Sequence, residues 1–252
     1  MPYSTRFRTT GSAFSSGLTP AVKWLLLTNV GIFVLYYFAT LTGWGSLFHP
    51  LGLVPADVLG RLALWQLVTY MFVHDPYGFW HILFNMLTLW MFGVTLERTW
   101  GTRRFLKYYF LCGTGAGVCV VLANLLFGSL YVRTIGASGA IYGLLLAFGL
   151  LFPEVEILFA FLFPIKAKYF VLILGGIAFM STFQPEAGGV SHVAHLGGML
   201  FGLLYLKRGL PSGVSLSSRL ERWYKDWKLQ RAKRKFQVYL KKQEKDSDRW
   251  VR

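Results

Sequence analysis

Six apolar runs, each close to the length that crosses a bilayer, divide this chain: 21–41, 80–96, 105–127, 134–152, 169–183 and 191–206. About 20 mainly apolar residues suffice for a helical span. Charged residues make up only 15% of the chain, against roughly a quarter in a soluble domain. The expected fold is therefore all-α: a polytopic membrane protein, in which six helices form a bundle. Residues 1–20 are polar, and the apolar run behind them has no clear small-residue cleavage site, so no cleavable signal peptide is expected.

The formal net charge of +15 invites a nucleic-acid reading, but its distribution argues for a membrane. Basic residues gather near the N-terminus (Arg6, Arg8, Lys23), after the second run (Arg98, Arg103, Arg104, Lys107), before the fifth (Lys166, Lys168) and throughout the tail. The opposite connections hold Arg61 and Arg133. An excess of Lys and Arg on one side marks the cytoplasmic face, which puts both termini in the cytoplasm. Three segments follow: a polar N-terminal segment 1–20, a six-span domain 21–208 and a basic tail 209–252. In the tail, Trp223, Trp227, Phe236 and Tyr239 stand among Lys and Arg, which suits a helix lying on anionic lipid. A solvated helix, or contact with a cytoplasmic partner or nucleic acid, fits the same composition. No nucleic acid is expected.

The connection 43–79 is long, apolar and nearly uncharged, and is expected to form short helices in the outer interface, with Trp65, Tyr70 and Tyr77 at headgroup level. The inner connection 153–168 is apolar in places and bounded by Glu154, Glu156, Lys166 and Lys168. Cys112 and Cys119, seven apart on one helix, cannot bridge to each other and read as packing residues. Gly113, Gly115 and Gly117 form a small-residue packing surface on the same helix.

Against this apolar background a few polar residues stand out. The fourth run carries Gly136-Ala137-Ser138-Gly139 with Tyr142, the sixth carries His192 and His195, and the second carries His81 and Asn85. A lone serine in a membrane helix usually bonds back to a carbonyl or joins a small-residue seam. Its company changes that reading, because polar groups inside membrane helices are costly and mark function by default. The three helices run in the same direction, and each residue advances about 1.5 Å. Ser138, His195, His81 and Asn85 then all fall in roughly the outer 10 Å, with Ser138 a few residues into its helix. A serine hydroxyl needs a base to become a nucleophile, and histidine suits that role. No carboxylate lies at this depth in these helices, so a Ser-His dyad fits better than a triad. Tyr142 shares the Ser138 face one turn on and can stack on the imidazole. His81 and Asn85, at i and i+4, offer donors for an oxyanion, with the Ser138 N–H as a third. Gly136, Gly139, Gly197 and Gly198 leave room for the fourth and sixth helices to approach.

Over about residues 21–208 the sequence resembles the rhomboid intramembrane serine proteases. The resemblance rests on His81-Ile82-Leu83-Phe84-Asn85, on Gly136-Ala137-Ser138-Gly139 with Tyr142, and on Ala194-His195-Leu196-Gly197-Gly198; Glu97-Arg98 with Gly101 and the segment 65–74 also match. It implies that Ser138 is the nucleophile, that His195 is the general base, that His81 and Asn85 help form an oxyanion hole, and that Tyr142 supports His195. Gly136 and Gly139 would support the same site. The implied substrates are single-pass membrane proteins, cut in or near their transmembrane segments, with small residues beside the scissile bond. No cofactor and no metal is implied. The expected setting is a bacterial cytoplasmic membrane, with the site open to the extracytoplasmic side.

Competing readings differ in what they require. His192 shares the His195 face and could be the base instead, or half of a metal pair; the metal reading lacks a His-Glu-x-x-His motif or a third strong ligand. His195 is favoured because it immediately precedes Leu-Gly-Gly. His74 and His49, in the outer connection, read as structural or solvated. A catalytically inactive rhomboid-like chaperone or adaptor would typically have lost Ser138 or His195. A transporter would show internal repeats or paired intramembrane charges, and the sequence has neither.

Overall fold

The computed structural model describes residues 17–159, 163–182 and 188–209. Its helices are α1 (Pro20–Leu41), α2 (Pro55–Arg61), α3 (Gln66–Thr69), α4 (Phe79–Trp100), α5 (Thr102–Phe127), α6 (Ser138–Leu151), α7 (Ala167–Ser181) and α8 (Gly188–Gly209). Two short 3-10 segments, Gly45–Leu51 and Tyr70–Phe72, and a strand pair, β1 (Glu156–Phe159) and β2 (Phe163–Lys166), complete the described elements. The chain divides into two compact units, Met1–Tyr205 and Leu206–Arg252. Of the second, the described residues are the closing turn of α8. The expected N-terminal segment up to residue 16 and the basic tail lie outside the described residues.

Among the described residues, α1, α4 and α5 are long and apolar enough to cross a membrane. Helices α6 and α7 are apolar but shorter, with 14 and 15 residues. Lipid-facing helices need only one buried stripe, and α1 follows that rule: Trp24, Leu27, Leu35 and Phe38 are exposed while Val22 and Leu25 are buried. Helix α6 is different. Gly139, Ala140, Ile141, Gly143, Leu144, Leu145, Ala147, Phe148 and Gly149 are all buried, as befits a helix apolar all round at the centre of a bundle. It packs against α4, α5 and α7.

Helix α1 has no side-chain cap of its own, and α4 supplies one. The Glu97 carboxylate accepts the Ala21 N–H at 2.9 Å and the Val22 N–H at 3.0 Å. It also accepts the Thr102 hydroxyl at 2.7 Å. One buried carboxylate thus satisfies two orphan donors of α1, favours the positive end of its dipole, and ties down the α4–α5 corner.

Two buried tyrosine hydroxyls find backbone carbonyls on neighbouring helices. Tyr108 donates to the Gly143 carbonyl at 2.8 Å, joining α5 to α6. Tyr70 donates to the Gly113 carbonyl at 2.7 Å, which corrects the expectation that Tyr70 sits at headgroup level. It is 1% exposed, whereas Trp65 and Tyr77 are exposed. The outer connection is knit together by polar side chains: Gln66 accepts from the Val54 N–H, Trp65 donates to the Pro50 carbonyl and Thr69 to the Leu51 carbonyl.

Two further departures from the sequence reading have clear causes. The fourth helix begins at Ser138 rather than near 134, because Thr134 exchanges both backbone hydrogen bonds with Leu53 and Gly136 donates to the Tyr70 carbonyl. These partners hold 134–136 against the outer connection and out of the helix, and they put Ser138 at the start of α6. The fold is also not purely helical. The inner connection contains an antiparallel pair in which Glu156 faces Lys166 and Ile157 faces Ile165. Ile157 is buried, and Glu154 accepts from both Lys166 and Lys168, holding the second strand and the start of α7 together.

Replacing Glu97 by Ala strands the Ala21 and Val22 donors and is expected to cost about 3 kcal/mol, read as a lower midpoint in denaturant titration of the detergent-solubilised protein. Bonds from Lys166 and Lys168 hold the Glu154 carboxyl below its ordinary value, so its contribution is present above that ordinary value and is lost as pH falls through the lowered one. Because the side chain is 57% exposed, the effect is below about 1 kcal/mol. The difference in melting temperature between wild type and Glu154→Gln is expected at neutral pH and should vanish as pH falls through the lowered range of the carboxyl.

Candidate active site

Ser138 is the first residue of α6, and Ala137 before it is already in the right-handed helical region. Gly136 has φ +116°, a conformation that favours glycine, and here a side chain would also have no room. A Cβ on Gly136 would stand 2.9 Å from His81 Cε1 and 3.1 Å from its Nε2, with Asn85 Nδ2 at 3.9 Å. The turn into α6 therefore runs directly against the two polar residues of α4.

Helix α8 reaches the same place through glycine. A Cβ on Gly198 would collide with the Gly139 carbonyl oxygen, and one on Gly139 would meet Ala116 Cβ at 2.6 Å and the Ala194 carbonyl oxygen at 3.3 Å. At that separation His195 Nε2 lies 2.9 Å from Ser138 Oγ. With the hydroxyl donating, Nε2 accepts and Nδ1 carries the ring proton. That Nδ1 is buried and has no hydrogen-bond partner among the described residues. The ring is held by stacking instead: Tyr142 lies parallel to it, with centroids 4.0 Å apart and planes 2° apart. His192 presents its ring edge-on to His195 at 5.6 Å; of the two histidines, His195 is the one bonded to Ser138.

Ser138, His195, Tyr142, Gly136, His81 and Asn85 line one open cavity of about 330 Å³, bounded elsewhere by Tyr70, Trp80, Phe84, Thr134, Ile135 and Ala194. No carboxylate is among these lining residues. Asn85 is 7% exposed, and His81 is the more open of the pair. The first N–H groups of α6 lack intrahelical partners, the first turn bond being Ile141 N–H to the Ala137 carbonyl. The Ser138 N–H therefore lies at the positive end of a helix dipole. Such a constellation offers a hydroxyl beside a base, with donors around the place where negative charge would form.

The sequence reading missed one member. His74 is fully buried, and its Nε2 lies 3.1 Å from Asn85 Nδ2. Its ring stands 5.2 Å from that of His81. Burial pushes its pKa down to about 3, with His81 adding to the effect, so the ring is neutral near pH 7. The available signal was its position at the end of the segment 65–74, an ionisable residue closing the apolar stretch 70–73. Among the described residues no group of three or more metal-ligating side chains comes together.

Comparison with known proteins agrees with this architecture. Residues 61–211 match the model of the Rhomboid domain. The chain is 30% identical over 187 residues to putative rhomboid protease YdcA of Bacillus subtilis, an alignment covering 73% of this chain and 81% of that protein. It is 34% identical over 137 residues to mitochondrial rhomboid protein 1 of Saccharomyces cerevisiae, covering 50% of this chain and 37% of the other. With rhomboid protease GluP of Bacillus subtilis the figures are 31% over 157 residues, 62% and 28%, so the chain spans only about a third of these last two relatives. The domain match and the likeness to YdcA over most of both lengths establish that this integral membrane protein belongs to the rhomboid family.

Proposed function

We propose that the chain is an intramembrane serine endopeptidase that cuts membrane-anchored proteins in or near their transmembrane segments through a Ser138–His195 dyad. One observation carries the reading: Ser138 Oγ lies 2.9 Å from His195 Nε2, inside a cavity that also presents Asn85 and His81. In the proposed reaction His195 Nε2 takes the Ser138 proton as Oγ attacks the scissile carbonyl, then delivers it to the leaving amine. Asn85, His81 and the Ser138 N–H stabilise the tetrahedral oxyanion, each donor supplying about 3–4 kcal/mol in a water-poor site. A water molecule, deprotonated by the same imidazole, releases the acyl-enzyme. Tyr142 keeps the ring in plane through both steps. Gly136 and Gly139 give these groups the space they need.

The finer architecture belongs to the same proposal. Helices α1, α4, α5, α6, α7 and α8 are six spans of a domain 21–208, with both termini on the basic, cytoplasmic side and the site opening to the other. Substrates are single-pass transmembrane proteins, whose helix must unwind locally before its shielded amide can be attacked. No cofactor takes part. The tail 209–252 would lie on anionic lipid, and a bacterial cytoplasmic membrane is the setting proposed.

Labelling with a fluorophosphonate tests the reading against an inactive rhomboid-like chaperone or adaptor. Wild type is expected to react at one site that Ser138→Ala abolishes, and His195→Ala should slow labelling by about 10²–10⁴-fold. A wild-type protein that neither labels nor cuts any tagged single-span substrate on co-expression would leave the chaperone or adaptor. Stacking is worth about 0.5–1.5 kcal/mol. Tyr142→Leu should therefore cut the rate of substrate cleavage by roughly 2–10-fold, while Tyr142→Phe, which keeps the ring, stays near wild type.

A further inference from the structure

Asn85 can serve as an oxyanion donor only if its amide presents nitrogen, and not oxygen, to the reacting carbonyl. The terminal torsion of asparagine is soft and two-fold, so packing alone does not decide between the two orientations. A neighbour that can only accept a hydrogen bond decides it. In this chain a buried neighbour stands there: His74 Nε2, 3.1 Å from Asn85 Nδ2, on a residue with no exposed surface, and it is such an acceptor when the ring proton is on Nδ1.

We propose that His74 is a positioning residue, whose Nε2 takes one hydrogen of the Asn85 amide and thereby aims the other at the oxyanion formed on attack by Ser138. The inference rests on the protease reading above and adds to it a residue from outside the three helices that carry the site. Three observations converge on it. The same nitrogen, Nδ2, faces both His74 and the Gly136 turn that leads into Ser138. The His74 ring also stands 5.2 Å from that of His81, so one buried imidazole backs both side-chain donors. Its own place is fixed by the sealed segment before it, where Tyr70, Met71 and Val73 are each at most 1% exposed. Of the two buried ring nitrogens, Nε2 has Asn85 as its partner, while Nδ1 has none among the described residues.

The neutral ring required for acceptance agrees with the low pKa that burial gives this histidine. With Nε2 accepting, the proton sits on Nδ1.

The test compares second-order rate constants for fluorophosphonate labelling of Ser138 in the detergent-solubilised full chain. His74→Phe keeps the volume and loses the acceptor; His74→Gln restores an acceptor near the Nε2 position. We expect Asn85→Ala to slow labelling by about 10²–10³-fold. His74→Phe should slow it by roughly tenfold, since it frees the amide without removing it, and His74→Gln should recover most of that loss. In the Asn85→Ala background, His74→Phe should have no further effect. The inference is overturned if His74→Phe labels like wild type, if His74→Gln is as slow as His74→Phe, or if Asn85→Ala labels at the wild-type rate. It is equally overturned if His74→Phe costs the same factor with and without Asn85, the result that a general loss of folding would give. Those failures leave the dyad standing, because wild type still labels at Ser138; a wild type that does not label removes both readings together.

Discussion

Contact between the backbones of α6 and α8 at Gly139 and Gly198 is the constraint on which the site depends. Ser138 directly precedes one of these glycines and His195 precedes the other by three residues, so the approach of the two backbones fixes how near hydroxyl and imidazole can come. A side chain on Gly198 would collide with the Gly139 carbonyl oxygen. Helix α5 serves as the floor under both: Ala116 lies against Gly139 and against Gly197. Without water to drive helices together inside a bilayer, such close packing of small residues is a main source of cohesion. In this protein the same packing also sets the geometry of the site.

The polar groups in the interior follow a second rule. Several buried hydroxyls and amides are spent on backbone carbonyls: Tyr108 on Gly143, Tyr70 on Gly113, Asn29 on Leu25 and Asn124 on Val120. Around the cavity, side chains pair with side chains, Ser138 with His195 and Asn85 with His74. The first kind of bond joins elements or relaxes a helix turn, and it leaves no group free to react. The second kind leaves a hydroxyl beside a base and an amide with a hydrogen to spare.

Much of this was legible in the sequence because the relevant signals are local. Apolar length gave the helices that begin near 20, 79 and 102, and polar residues within apolar runs gave Ser138, His195, His81 and Asn85 as a group to consider. What escaped depends on partners far away in the chain. Thr134 reads as the start of an apolar helix until its backbone is seen paired with Leu53. Tyr70 reads as an interfacial aromatic until its hydroxyl meets Gly113. His74 reads as a loop histidine until Asn85 is found against it. The strand pair 156–166 was missed for a related reason: strand and helix cannot be told apart in a short apolar run, and the lysines that pin it to Glu154 are a dozen residues further on.

A dyad without a carboxylate imposes its own logic on the proposed reaction. In a triad the acid both orients the imidazole and offsets the charge it gains. Here orientation falls to the parallel ring of Tyr142, while His195 Nδ1 faces no partner among the described residues. Stacking fixes the plane of the imidazole but does little for its positive charge. The imidazolium formed during attack must then be stabilised mainly by the oxyanion created with it, one step of charge separation away. That couples the base to the oxyanion donors: whatever lowers the energy of the anion also preserves the counter-charge on which the cation relies. Donors held in a fixed orientation before substrate arrives are worth more in such a site than in one where a carboxylate shares the burden. This is the physical reason a buried imidazole behind Asn85, remote from the nucleophile in sequence, would matter to the chemistry.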